Sequence, residues 1–233
     1  MCFDRNMRYQ VAIGFIAFSA VAVAAIKVSH QEIHREKVGY YDAKANVPKF
    51  SGNALAALAS KAARSDADSR IAEFMKDVKG MEKPTMPWTL ECSSEISVAK
   101  DKLISFSILT YWYTGGAHPN REYSTMNFAT MNGKSKRIGL ADIMLVRMTP
   151  EALAWQLVQP KLKAMDASSV VDGSVKSLTR EQCDNFIVTK NGLQWQFSPY
   201  EMGSYAEGEM MVDVPWSALK GKLNVPLIQS MIK

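Results

Sequence analysis

From Pro87 onward the apolar residues recur with a period of two, and this constrains the fold more than any other feature. Trp88, Leu90, Cys92, Ser94, Ile96 and Val98 alternate with Thr89, Glu91, Ser93, Glu95 and Ser97. Such a segment is a strand with one face on a core and one in water, a pattern that belongs to antiparallel sheets. After a turn at Ala99–Lys102, a second strand runs through Ile104, Phe106, Ile108, Thr110 and Trp112. A glycine loop follows at Thr114–Asn120, then a third strand at Tyr123–Thr130, closed by the turn pair Asn132-Gly133. Thr149-Pro150-Glu151 opens a helix with a capping hydroxyl, a proline in its first turn and an acid near its positive end. Its apolar face is Leu153, Leu157, Val158, Leu162 and Met165, and Pro160 is expected to kink or end it. Phe186–Thr189 and Leu193–Phe197 flank Lys190-Asn191-Gly192 as a further hairpin, before a strand at Met210–Val214 and a helical turn at Pro215–Leu219. The order predicts an α+β fold with antiparallel sheet packed on helices.

Upstream the period is helical. Over residues 53–80, Asn53 can cap, Leu55, Leu58, Ala59 and Ala62 share a face, and Ile71, Phe74, Met75 and Val78 resume it after an expected break at Ser65–Asp68. Residues 28–52 are polar and read as a juxtamembrane linker. Before them, Val11–Ile26 holds 14 apolar residues in 16, preceded by Arg5 and Arg8 and followed at once by Lys27. A charged start, an apolar run and an abrupt polar exit describe an export signal or a signal anchor. Retention as a single membrane-spanning helix is the leading expectation. Cleavage at the small-residue triplet Ala22-Val23-Ala24 is the alternative. The expected organisation is a signal segment at 1–27, a linker at 28–52, a helical region at 53–85 and an α+β domain at 86–233. Either outcome places residues 28–233 outside the cytoplasm, in the cell envelope.

Composition adds exclusions. At 233 residues, 47% hydrophobic and 22% charged, the chain is neither disordered nor a disulfide scaffold. Cys92 and Cys183 could pair outside the cytoplasm, and two buried free thiols are an equally natural reading. His30 and His34 stand four apart, but Gln31 occupies the place where a zinc-protease helix needs its glutamate, and no third ligand follows. No metal site or cofactor motif is expected. Gly133-Lys134-Ser135 lacks the upstream glycine of a phosphate loop. Residues 131–180 carry 8 basic and 4 acidic residues, most simply a solvated face, and no nucleic-acid partner is expected. Residues 181–233 reverse the sign, with 4 basic and 6 acidic. There, Glu201, Glu207, Glu209 and Asp213, near Tyr200 and Tyr205, could dock a basic partner. His118, in Thr114-Gly115-Gly116-Ala117-His118-Pro119-Asn120, admits three roles: a general base, a donor to a partner, or a group that staples its own loop.

Several of these blocks, in the same order, resemble a known family. Tyr111-Trp112-Tyr113 precedes the loop Gly115-Gly116-Ala117-His118-Pro119. Asn127-Phe128, Gly133-Lys134 and Leu140-Ala141-Asp142-Ile143-Met144 follow. Phe186–Leu193 forms the next block, and Tyr200-Glu201-Met202-Gly203-Ser204-Tyr205-Ala206-Glu207-Gly208 leads into Val212–Trp216. This series is similar to the RsiV-like bacterial cell-envelope domain, the C-terminal domain of a lysozyme-sensing anti-sigma factor that also occurs in some peptidoglycan deacetylases. The resemblance covers roughly residues 86–220. It implies an α+β fold and a cell-envelope binding or sensing role toward a protein or glycan partner, such as a lysozyme-like hydrolase or peptidoglycan. The sigma-binding segment and the deacetylase catalytic domain have no counterpart in these blocks.

The candidate binding residues are Tyr113, Gly115, Gly116, His118, Pro119, Tyr200, Glu201, Tyr205 and Glu207. Catalysis is the less favoured reading. As an envelope hydrolase the chain would need His118 beside a carboxylate such as Asp142 or Glu201. A purely structural envelope protein is the third possibility.

Overall fold

The computed structural model describes residues 25–233. The apolar run 11–26, and with it the expected signal or membrane helix, lies almost wholly outside the described residues. Among the described residues no helix is long and apolar enough to cross a membrane.

The chain forms a mixed α+β fold rich in antiparallel sheet. Two strands, β1 (Lys27–Lys37) and β2 (Tyr41–Ser51), pair in antiparallel register from Lys27↔Ser51 to Lys37↔Tyr41. Helix α1 (Ala54–Asp77) crosses back, and β3 (Trp88–Lys100) then runs parallel to β2 over Tyr41↔Trp88 to Ala45↔Cys92. Strands β4 (Leu103–Tyr113), β5 (Asn120–Met131) and β6 (Lys134–Arg137) complete an otherwise antiparallel six-stranded sheet in chain order. Helices α2 (Pro150–Ala164), α3 (Ser168–Val171) and α4 (Arg180–Asp184) follow. A second sheet comprises β7 (Phe186–Val188), β8 (Gly192–Phe197) and β9 (Met210–Pro215), followed by α5 (Trp216–Leu219) and α6 (Val225–Ile232).

The large sheet is buried on both faces. One face packs on α1, where Leu55, Ala59, Ala63, Ala67, Ile71 and Phe74 meet Phe50, Phe106 and Phe128. The other covers a second core containing Leu103 and Ala129, α2 and the three-stranded sheet around Trp195 and Phe197. The central strand β4 therefore buries nearly every residue from Leu103 to Thr110. Two polar residues pin the sheets together in this dry layer. Ser105 Oγ donates to Asn127 Oδ1 at 2.6 Å and accepts from Val188 N at 2.8 Å, while Asn127 Nδ2 donates to Phe186 O at 2.7 Å.

Three expectations are corrected and one open alternative is resolved. Residues 28–52 are not a linker but the β1–β2 hairpin, and Ile26 already packs against the α1 core. Strand β1 sits on the sheet edge and buries only Ile33, so its charges hide the strand period. In β2 the buried alternation is written in the small residues Ala43 and Ala45 with Val47. The break expected at Ser65–Asp68 is absent. Ala63 and Ala67 carry the buried stripe through it, and Arg64 pairs with Asp68 one turn later at 2.8 Å. Helix α2 runs through Pro160 to Ala164, held by Leu157, Val158 and Leu162 in the core. Finally, Cys92 and Cys183 do not pair. They are free, buried thiols in different cores, and burial pushes the Cys183 thiol up to about 12.

Candidate functional site

The loop between β4 and β5 turns on Gly115 and Gly116, with φ of +95° and +105°. A Cβ at either position would meet no atom within 4 Å, so the glycines are required by the backbone conformation rather than by space. Tyr113 closes the turn by donating its hydroxyl to Gly116 O at 3.1 Å. Pro119 holds the residue before it, His118, extended, and that side chain emerges at the end of the large sheet.

Three rings from two distant segments meet there. Tyr205 stacks on His118 with centroids 3.7 Å apart and planes 17° from parallel. Tyr200 lies 5.6 Å from Tyr205 and 6.3 Å from His118. The Pro119 carbonyl can only accept, so His118 donates Nδ1–H to it at 3.0 Å. In the neutral ring this leaves Nε2 as the acceptor for the Tyr200 hydroxyl, 3.2 Å away. Tyr205 donates to the same Pro119 carbonyl at 2.8 Å. Tyr200 is held at φ +71°, a conformation uncommon for a bulky residue, and is 61% exposed.

The carboxylates expected at the site have other tasks. Glu201 accepts from Ser198 N and from Gln182 Nε2, which fixes the turn that presents Tyr200. Glu207 accepts from the backbone and side chain of both Ser168 and Ser204, and these four bonds lower its pKa to about 2. Asp142 holds Gly139 N and Lys136. Asp213 takes a bond from Gln194. The hydrogen bonds of His118 go to the Pro119 carbonyl and the Tyr200 hydroxyl, and neither Asp142 nor Glu201 bonds to it.

Sequence reasoning missed Arg121, which sits at the start of β5 and pairs with Glu209 at 2.9 Å. Its guanidinium is held protonated by the Tyr205 hydroxyl and Glu209. Its position two residues after Pro119 was the available signal. A polar cleft of about 720 Å³ was also unforeseen. It is lined among others by Arg70, Glu122, Arg137, Asp184, Ser198 and Glu201. Ser198 and Glu201 flank Pro199-Tyr200, so cleft and ring cluster share one turn. Among the described residues no group of three or more His, Cys, Asp or Glu is arranged to hold a metal ion.

Comparisons with known proteins fit this architecture. Residues 34–121, from β1 to the His118 loop, match the family model described as Deacetylase PdaC. Residues 141–217 match the family model described as Protein of unknown function (DUF3298). A search of curated proteins gave no match. The crystal structure of a DUF3298 family protein from Pseudomonas aeruginosa PAO1 superposes with a TM-score of 0.60 at 14% identity, covering 86% of this chain and 94% of that one. A DUF3298 family member from Bacteroides fragilis gives a TM-score of 0.59 at 14% identity, covering 91% and 98%. The chain thus matches two family models in succession, PdaC and then DUF3298, which is consistent with a cell-envelope associated domain, and it shares its fold with two solved DUF3298 family proteins.

Proposed function

We propose that this protein is a membrane-anchored cell-envelope binding domain that recognises a glycan through the His118–Tyr200–Tyr205 cluster. The observation that carries the reading is Tyr200, an exposed ring held at positive φ by its turn beside a stacked His–Tyr pair. Aromatic faces in a fixed arrangement are what sugar rings pack against, and the adjoining polar cleft offers charged and amide groups to hydroxyls. The ordered blocks resembling the RsiV-like domain support an envelope role, and the apolar run 11–26 supports an anchor with the domain outside the cytoplasm.

A basic protein partner, such as a lysozyme-like hydrolase, is less favoured by the geometry. The acidic stretch meant to attract it is occupied: Glu201, Glu207, Glu209 and Asp213 are all bonded within the domain. The test is co-sedimentation of the full chain with insoluble peptidoglycan. Binding that drops at least tenfold in Tyr200→Ala, with an unchanged melting temperature, supports the reading. Equal binding by the variant, or capture by lysozyme but not by peptidoglycan, removes it.

A further inference from the structure

One end of the large sheet collects the start of β1, the end of β2, and the β3–β4, β5–β6 and β7–β8 turns. It carries Lys27, Lys100, Lys102, Lys134, Lys190 and Lys233, all exposed. Thr130 N donates to Lys102 O, which ties two of these turns together. A pocket of about 610 Å³ lined by Lys100, Lys190 and Lys233 joins the second sheet to the same end. None of the six lysines ion-pairs with a carboxylate among the described residues, and the turns themselves contribute one acid, Asp101. The N-terminus of α1, capped by Asn53, adds its partial positive charge at this end.

The chain enters the domain at this same end. Ile26, the last residue of the apolar run, packs on the α1 core, and Lys27 begins β1 with no spacer. We propose that the lysine-bearing end of the sheet rests against the headgroups of an anionic lipid bilayer. This rests on the anchored reading above. A run ending at Ile26 brings the surface within about one Debye length of the headgroups, roughly 8–10 Å, where exposed lysines still feel anionic lipid. The contacts are also spread out. Five strand spacings separate β1 from β6, about 24 Å, so the surface is held at more than one point and the domain is oriented rather than tethered. The ring cluster sits at the other end of β4, about 33 Å away along its eleven residues, and faces outward.

The test uses the full chain in nanodiscs, in a Cys2→Ser background, with a fluorophore on either Asn191→Cys or Val38→Cys. Asn191 lies on the β7–β8 turn at the lysine end, and Val38 is 84% exposed on the β1–β2 turn at the opposite end. With a headgroup-attached quencher, discs containing phosphatidylglycerol should quench the Asn191→Cys label several-fold more than discs of phosphatidylcholine. The Val38→Cys label should stay bright in both. The difference should vanish in 0.5 M salt and in the folded triple variant K100E/K102E/K134E. Equal quenching of the two labels, or quenching indifferent to lipid charge or to the triple variant, overturns the proposal. Incorporation into phosphatidylcholine discs reports on the anchor alone. If it fails, flotation with phosphatidylglycerol vesicles but not phosphatidylcholine vesicles sustains the lysine surface, and flotation with neither rejects it.

Discussion

Glu207 shows how one side chain can hold a loop in shape. Its carboxylate gathers four hydrogen bonds from Ser168 and Ser204, which draws the segment after Tyr200 onto the start of α3. Its folded pKa of about 2 lies below the ordinary 4.5. The unfolded state therefore binds more protons between these values, and the stability this group contributes is complete above pH 4.5 and lost as pH falls through 2. Glu207→Gln should melt earlier at neutral pH and show a flatter acid limb in melting scans. Asp66 behaves oppositely. Burial raises its carboxyl above the ordinary 3.8, so the folded state holds the proton more tightly and stability declines as pH rises from 3.8. Asp66→Asn should retain the acceptor for Ser124 and remove that decline, which pH-dependent denaturation would detect. These roles also show what a sequence hides at this scale. Tyr113, His118, Tyr200 and Tyr205 could be named together from the sequence because they stand in the loop blocks of the family resemblance, and the fold brings the last three into one cluster. Glu201 and Glu207 were equally readable as acids near a site. That their oxygens are already occupied by backbone N–H groups follows only from the folded loop.

The elements were legible where large apolar residues marked their period. Trp88 to Val98 and Ile104 to Trp112 announced β3 and β4, and Thr149-Pro150 announced α2. Legibility failed where the buried face is written in alanine, as in β2 and the middle of α1, or where an edge strand is charged throughout, as in β1. Those same alanines set tight tolerances. Ala63 is fully buried between helix and sheet. Ala63→Leu should cost about 1–3 kcal/mol by overpacking, measured by urea denaturation. Asn127→Ala strips the Phe186 carbonyl of its partner and leaves Ser105 without its acceptor. Leaving such buried groups unsatisfied should cost about 1–3 kcal/mol each, and hydrogen exchange should quicken first in β7. On β8, a Cβ at Gly192 would collide with the Val214 carbonyl of β9. Gly192→Ala should therefore disrupt the three-stranded sheet, visible as lost burial of Trp195 in its fluorescence.

For the whole molecule, the sequence predicted a domain on a polar linker, and the structure replaces the linker with two strands of the main sheet. Deleting residues 28–40 should accordingly leave β2 as a bare edge and give an aggregating protein, whereas removal of a true linker would leave melting unchanged. Light scattering of the deleted chain separates the two. A strand that begins at Lys27 and runs toward the end bearing His118 also sets how the protein would carry load. A pull between an anchor at Lys27 and a ligand at the far end acts along the strands. All eleven β1–β2 register pairs would then be sheared together rather than peeled one after another. The next ladder inward, β2 with β3, has only five register pairs. Under tension that short parallel seam would yield first, beside the helix that bridges it.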